Sequence, residues 1–380
     1  MTVARSVRAR RHASRNDDAQ EPESTGEGLV DGLSGSSGRP RAYNVDCRSG
    51  FAGETCRRDL VRYVLFLWRA NVCTRGSAFL TVLNVRHTTV YRYRRPVSLG
   101  DHRLMLRPRD SHDLRLIRTN LTLAPPATLR WIHDVFGNSI AIASFAEPAT
   151  ELRIESNLLL ETYVVEQPAF QIASEAVSYP FIYSADDRID LGRMLEPHYP
   201  DPADRLGSWA RGFVRSNPTN TLALLADLNS GVRAWIAYQS RETEGTQTPI
   251  ETLNRGWGSC RDLAVLLIEA ARSLGFGARV VTGYLYNASA DGFAASAIGA
   301  GTTHAWADIY LPGVGWIAYD PTNGTIGGRD LIRVAVTRDI SQAVPVAGSF
   351  VGMPDDYLGL TVDVAVVSES PGHAIAGSRA

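Results

Sequence analysis

From Leu80 to Tyr93 apolar and polar residues alternate with a period of two, and Val, Thr and Tyr dominate, which predicts a strand. The same pattern recurs over Arg103–Arg107, Leu114–Leu123, Leu129–Asp134, Ser139–Phe145 and Leu152–Val165. Turn pairs such as Arg95-Pro96, Pro125-Pro126 and Gly137-Asn138 punctuate these runs. Short strands at about ten-residue spacing read as an antiparallel sandwich or barrel-like unit. Before it, residues 1 to 58 show almost no periodic apolar pattern and are rich in Arg, Ser, Gly, Asp and Glu, so disorder is expected there. Residues 60–80 match neither period. One reading is that translation starts near Leu80, which N-terminal sequencing of the native protein would decide.

After a Pro-rich connector (166–200) the period lengthens. In Ala203–Ser216 the apolar positions are Leu206, Trp209, Ala210, Phe213 and Val214; in Leu222–Tyr238 they are Leu222, Leu225, Leu228, Val232, Trp235 and Ile236. Both predict helices. Gln239–Pro249 reads as a loop. A third helical stripe, Leu263, Leu266, Leu267, Ala270, Ala271 and Leu274, stops at Gly275. Strand patterns resume at Ala278–Tyr286, His304–Leu311, Gly315–Asp320, Leu331–Thr337 and Leu360–Val367. Helices followed by a sheet predict an α+β class for this second part. The resulting division is an extension (1–79), a β-rich domain (80–165), an α+β core (166–345) and a C-terminal strand and tail (346–380).

Composition narrows the classes. The chain has 380 residues, 44% apolar and 21% charged, which is ordinary for a soluble globular protein with room for two domains. A net charge of −1 argues against nucleic acid or an anionic membrane as partner. All 39 basic residues are arginine, so no lysine amine is on offer for chemistry. Cys47, Cys56, Cys73 and Cys260 make no disulfide framework and no C-x-x-C pair, so neither a structural zinc nor any other metal is expected. His87, His102, His112 and His133 lack ligand spacing, and no calcium loop or cofactor motif is present. Nor is there a secretory signal, and the apolar run Leu60–Trp68 is too short to span a membrane, so a cytoplasmic protein is expected. Oligomeric state has no signature here.

The candidate chemistry begins at Arg255-Gly-Trp-Gly-Ser-Cys-Arg-Asp-Leu-Ala264. Ser259 and Asp262 form a capping-box pair, which makes Cys260 the first helical residue. Free N–H groups and the helix dipole favour a thiolate at that place. Downstream, His304 begins a strand and Asp320 ends the next, joined by the turn Pro312-Gly313-Val314-Gly315. A thiol nucleophile needs a base, and the base needs an orienting partner; Cys260, His304 and Asp320 supply that set. The set carries a geometric demand. His304 and Asp320 share a face only if paired residue numbers have an even sum, which requires an odd-length hairpin loop or a bulge. A four-residue loop would pair Leu311 with Trp316 and turn Asp320 away. Trp257, Trp306 and Trp316 are candidates to line a groove beside the thiol.

Gly-Ser-Cys-Arg-Asp-Leu-Ala (258–264), Gly-Tyr-Leu (283–285), His-Ala-Trp-Ala-Asp-Ile-Tyr-Leu-Pro-Gly-Val-Gly-Trp (304–316) and Asp-Pro-Thr-Asn-Gly (320–324) resemble the transglutaminase-like core of bacteria. Leu83–Tyr93 and Leu106-Arg-Pro-Arg109 resemble the β-rich N-terminal domain that precedes that core. The resemblance implies a papain-like core with the Cys helix packed on an antiparallel sheet, and a triad of Cys260, His304 and Asp320. It implies acyl transfer from a peptide or carboxamide substrate, with hydrolysis expected, transfer to an amine as the alternative, and an idle peptide-binding module as a reading of another class. The backbone N–H of Cys260 is one candidate oxyanion donor, with Trp257, Gly258, Ser259 and Trp306 as the surrounding oxyanion or groove candidates. The Ala-, Gly- and Ser-rich segment 287–301, next to His304, is a candidate gate.

Overall fold

Strand β1 (Ala78–Leu99) runs for 22 residues, because the alternating pattern that begins near Leu80 continues past the expected turn at Arg95-Pro96. In this computed structural model the described residues are 78–165, 170–241, 245–286, 298, 301–328 and 330–369. The N-terminal extension and most of the segment 287–301 lie outside the described residues. The remaining N-terminal strands are β2 (His102–Arg107), β3 (Leu114–Ala124), β4 (Ala127–His133), β5 (Ser139–Phe145) and β6 (Ala149–Val165). They form two antiparallel sheets, one with β6 between β1 and β3, the other with β5 between β2 and β4. Leu104, Leu106, Ala141 and Ala143 of the second sheet meet Tyr93, Val97, Leu152 and Ile154 of the first in one apolar layer. That is the expected sandwich, and each fully buried Leu or Ile in it contributes about 1.5–3 kcal/mol of burial free energy.

The second part opens with helices α1 (Ala185–Leu191), α2 (Arg205–Arg211), α3 (Thr221–Trp235) and α4 (Pro249–Arg255). Two of these differ from the sequence reading. Helix α1 falls in the expected connector, and α4 follows the expected loop directly. Both have seven residues, too short for a periodic stripe, though Thr248-Pro-Ile-Glu251 is a closed capping box with Pro at the helix start. Helix α5 (Cys260–Ser273) is the axis of the region, ending at Leu274 with Gly275 at φ 88°. It packs on strands β7 (Ala278–Leu285) and β8 (His304–Leu311) of an antiparallel sheet completed by β9 (Gly315–Asp320), β10 (Leu331–Thr337) and the pair Thr325–Ile326.

Helix α5 is buried all round rather than along one stripe: every residue from Asp262 to Arg272 is buried. Three charged residues are therefore inside, Asp262, Glu269 and Arg272, and the last two pair with each other. Arg272 Nη1 donates to Glu269 Oε1 at 2.6 Å, and its other nitrogens donate to the carbonyls of Met194, Ala278 and Arg338. Glu269 Oε2 accepts from the backbone of His198 and Tyr199. With both charges hydrogen-bonded, the pair locks α5 to the preceding connector and to the sheet.

The last strand, β11 (Tyr357–Ser368), covers the run Leu360–Val367 read as a strand in the C-terminal segment outside the 166–345 core, and it does not join the sheet under α5. It pairs instead with β1, from Leu83 opposite Ser368 to Tyr93 opposite Tyr357. The period of two identifies a strand but not its partner, and β1 offers the edge that β6 leaves open. Val364 of β11 joins Leu83, Val85 and Leu160 in an apolar seam with Tyr284, Ile332 and Val334 of the sheet under α5. Among the described residues no helix is long and apolar enough to cross a membrane.

Candidate active site

Helix α5 begins at Cys260 because Ser259 caps it. Asp262 Oδ2 accepts from both the backbone N–H and the hydroxyl of Ser259, each at 2.8 Å. The other oxygen of Asp262 accepts from the Gln247 backbone at 2.7 Å and from Arg241 at 2.9 Å, so one buried carboxylate ties the helix start to the loop before α4. Gly258 is needed for this closeness, since a Cβ there would stand 2.8 Å from that of Asp262. Trp257 and Gly258 pair in parallel with Ala237 and Tyr238, which fixes the approach to the thiol.

The hairpin adopts the even register. Leu311 faces Gly315 and Ala307 faces Tyr319, leaving the three-residue loop Pro312–Val314. Gly313 and Gly315 take the positive φ values, 87° and 82°, that such a tight loop demands. His304 and Asp320 consequently share a face, and His304 Nε2 lies 2.9 Å from Asp320 Oδ2. Both side chains are fully buried. Gly283 stands opposite His304, where a Cβ would collide with the Ile332 carbonyl and crowd Trp306.

The start of α5 meets the start of β8. Nδ1 of His304 is buried and bonds to no nitrogen or oxygen, which leaves it to the Cys260 thiol. Burial pushes the thiol up, but His304, the Arg261 charge and the Ala305 backbone N–H outweigh it and hold Cys260 below the usual thiol value. Burial would lower His304, yet its bonds to Asp320 and Cys260 raise it above the ordinary imidazole. Asp320, pushed up by burial, is drawn below the carboxylate range chiefly by His304 and then by Asn323. Together these directions favour thiolate, imidazolium and carboxylate.

The other residues singled out from the sequence divide. Ser259 and Gly258 are buried parts of the helix entrance. Trp257 is half-buried, with the Arg255 guanidinium 5.6 Å from its ring centre. Trp306 is not on a groove surface. It is 1% exposed and stacks on His304 at 6.2 Å, because strand alternation turns it into the layer with Val281 and Ala318. Trp316 is held by the Arg279 guanidinium 4.0 Å from its ring centre, and Arg279 also pairs with Asp308. Two contributors escaped the sequence reading. Arg241 carried no motif, whereas Asn323, which donates to Asp320 Oδ2 at 2.8 Å, stood in view three residues after Asp320 in Asp-Pro-Thr-Asn. Among the described residues no group of His, Cys, Asp and Glu is placed to hold a metal ion.

Comparison with known proteins adds relatives to this geometry. Residues 83–161 match the bacterial transglutaminase-like N-terminal region, and residues 207–321 match the transglutaminase-like superfamily. An uncharacterized protein of Mycobacterium tuberculosis is 28% identical over 305 residues, spanning 76% of this chain and 94% of its own. One from Mycobacterium leprae is 27% identical over 284 residues, spanning 74% and 98%. A solved structure from Cytophaga hutchinsonii, described as that of a candidate cysteine protease, aligns with a TM-score of 0.60 at 18% identity and covers 78% of this chain and 93% of that one. At that identity the likeness speaks for the fold alone.

Proposed function

Since the chain belongs to the transglutaminase-like superfamily, with the bacterial N-terminal region ahead of its core, we propose that it is a thiol acyl-transfer enzyme that hydrolyses peptide or carboxamide bonds. The observation that carries this reading is one buried imidazole, bonded through Nε2 to Asp320 and free at Nδ1 for a helix-start thiol that its surroundings depress.

The reaction follows from those positions. The Cys260 thiolate attacks the substrate carbonyl, and the oxygen takes the negative charge. The N–H of Cys260, unpaired within the helix by its position, is available to that oxygen. Imidazolium His304 then gives its proton to the departing nitrogen as the C–N bond breaks, leaving a thioester on Cys260. Water attacks the thioester while His304 takes its proton, the acid leaves, and the thiolate is restored. Asp320 keeps the imidazole in the tautomer and orientation that both transfers need. Water is the default acceptor unless a site excludes it, which favours hydrolysis over transfer to an amine.

Two measurements test the reading. Cys260 should react with iodoacetamide near neutral pH far faster than Cys47 or Cys56, and His304→Ala should remove the advantage. Equal rates in all three, unchanged by the substitution, would end the proposal. Glutamine peptides supplied with and without a primary amine then separate the outcomes: ammonia release without amine uptake supports hydrolysis, and amine incorporation replaces it with transamidation.

A further inference from the structure

The Asp320 carboxylate is held by more than the imidazole. Oδ1 accepts from the backbone N–H of Thr322 at 2.9 Å and of Asn323 at 3.3 Å, bonds that belong to the turn itself. Oδ2 receives two side-chain donors, His304 Nε2 at 2.9 Å and Asn323 Nδ2 at 2.8 Å. The Asn323 carboxamide is fixed in its turn. Its oxygen accepts from the backbone N–H of Ile298 at 3.0 Å, and its nitrogen also donates to the Ile298 carbonyl at 3.3 Å. This clasp settles which way the amide points. A flipped amide would set its oxygen against the Asp320 carboxylate and its nitrogen against an N–H.

We propose that Asn323 is a positioning residue of the triad, whose carboxamide, oriented by the Ile298 peptide, holds Oδ2 of Asp320 in place against His304. The proposal rests on the acyl-transfer reading above. Chemically, Asn323 does two things for a buried anion. It supplies a charge-assisted hydrogen bond that keeps the carboxylate ionised where burial opposes it, in line with the lowered Asp320. It also occupies the lone pair that Asp320 would otherwise turn towards another donor, so the bond to Nε2 keeps its direction. The hydrogen bonds of Asn323 run to Asp320 and Ile298, so it acts through Asp320.

The test uses the full chain and no substrate. The rate of Cys260 carboxamidomethylation, read by peptide mapping, is followed from about pH 4 to about pH 9 for wild type, Asn323→Ala and Asn323→Leu. Removing a donor from the anion makes the thiolate–imidazolium–carboxylate unit easier to protonate. Both variants should therefore lose reactivity at higher pH than wild type, the acid limb moving up by about one pH unit. Leucine fills the space of asparagine and donates nothing. An alanine effect that leucine restores would mean packing, and would overturn the proposal, as would unmoved limbs in both. If the leucine variant does not melt cooperatively, proton NMR of Asn323→Ala decides. The His304 ring N–H resonance should shift, and an unmoved resonance overturns the proposal. A wild-type acid limb that survives His304→Ala removes the acyl-transfer reading itself, and this one with it.

Discussion

Two histidines of this protein are equally hidden and oppositely tuned. His87 and His304 are each 1% exposed. His87 lies on β1 at the seam between the sheets, with Tyr284 Oη 3.1 Å from Nδ1 and Thr89 Oγ1 2.9 Å from Nε2. Its partners are neutral hydroxyls, so burial prevails over the Asp363 charge and pushes it down to about 4. His304 has the Asp320 carboxylate on Nε2 and the Cys260 thiol beside it, and these reverse the effect of burial. Burial does not make a histidine reactive. The charge of its partner does, and a buried imidazole satisfied by hydroxyls is a structural joint.

The contrast can be broken at its strong end first. Cys260→Ala should abolish turnover, and Asp320→Asn should lower kcat/KM by at least about 100-fold, since the imidazole loses both its charge partner and its tautomer. If Asp320→Asn kept full activity, the carboxylate would not be what separates the two histidines. Next comes the pH profile. With Cys260 lowered and His304 raised, activity should rise as pH climbs through the depressed thiol value and fall as it passes through the raised imidazole value. Alkylation of Cys260 should show the rise without the fall, because it needs no proton donor.

Stability sharpens the comparison with opposite signs. His87 binds its proton less readily folded than unfolded, so lowering the pH from about 6.5 to about 4 should destabilise the wild type by up to about 3 kcal/mol, with little further loss from this residue below that. His87→Asn should flatten that part of a Tm-against-pH curve. His304 contributes the reverse: its raised value stabilises the fold fully below the unfolded imidazole range, and the contribution is lost as pH climbs from there through the raised folded value. The smallest effect is expected for Tyr284→Phe, which takes one hydroxyl from His87 and should cost about 1 kcal/mol in denaturant melts.

Much of this site can be read in the sequence, for reasons that are local. A helix start is announced by Ser259 and Asp262, and a hairpin by Pro312-Gly313, so the thiol, imidazole and carboxylate fall on identifiable element ends. Strand parity then converts a choice of residues into a demand on loop length. What stays hidden depends on partners rather than periods. Glu269 and Arg272 look like the solvated face of α5 until the connector closes over them. Trp306 reads as a groove residue because alternation gives a face without saying what covers it. Asn323 becomes meaningful only once Ile298 is seen to hold its amide.

The pairing of β11 with β1 has a bearing on how the chain is made. Leu83 leaves the ribosome long before Ser368, its cross-strand neighbour, and the whole thiol-bearing region is synthesised between them. During that interval β1 can pair with β6, yet its other edge, facing the place of β11, has no strand to cover it. The ladder that closes this edge has among the longest sequence separations in the protein, so it is slow to form on loop-closure grounds. A nascent chain halted before residue 357 would carry the triad residues and still expose a strand edge to its neighbours, which makes the strand Tyr357–Ser368 a guard against aggregation as much as a part of the sandwich.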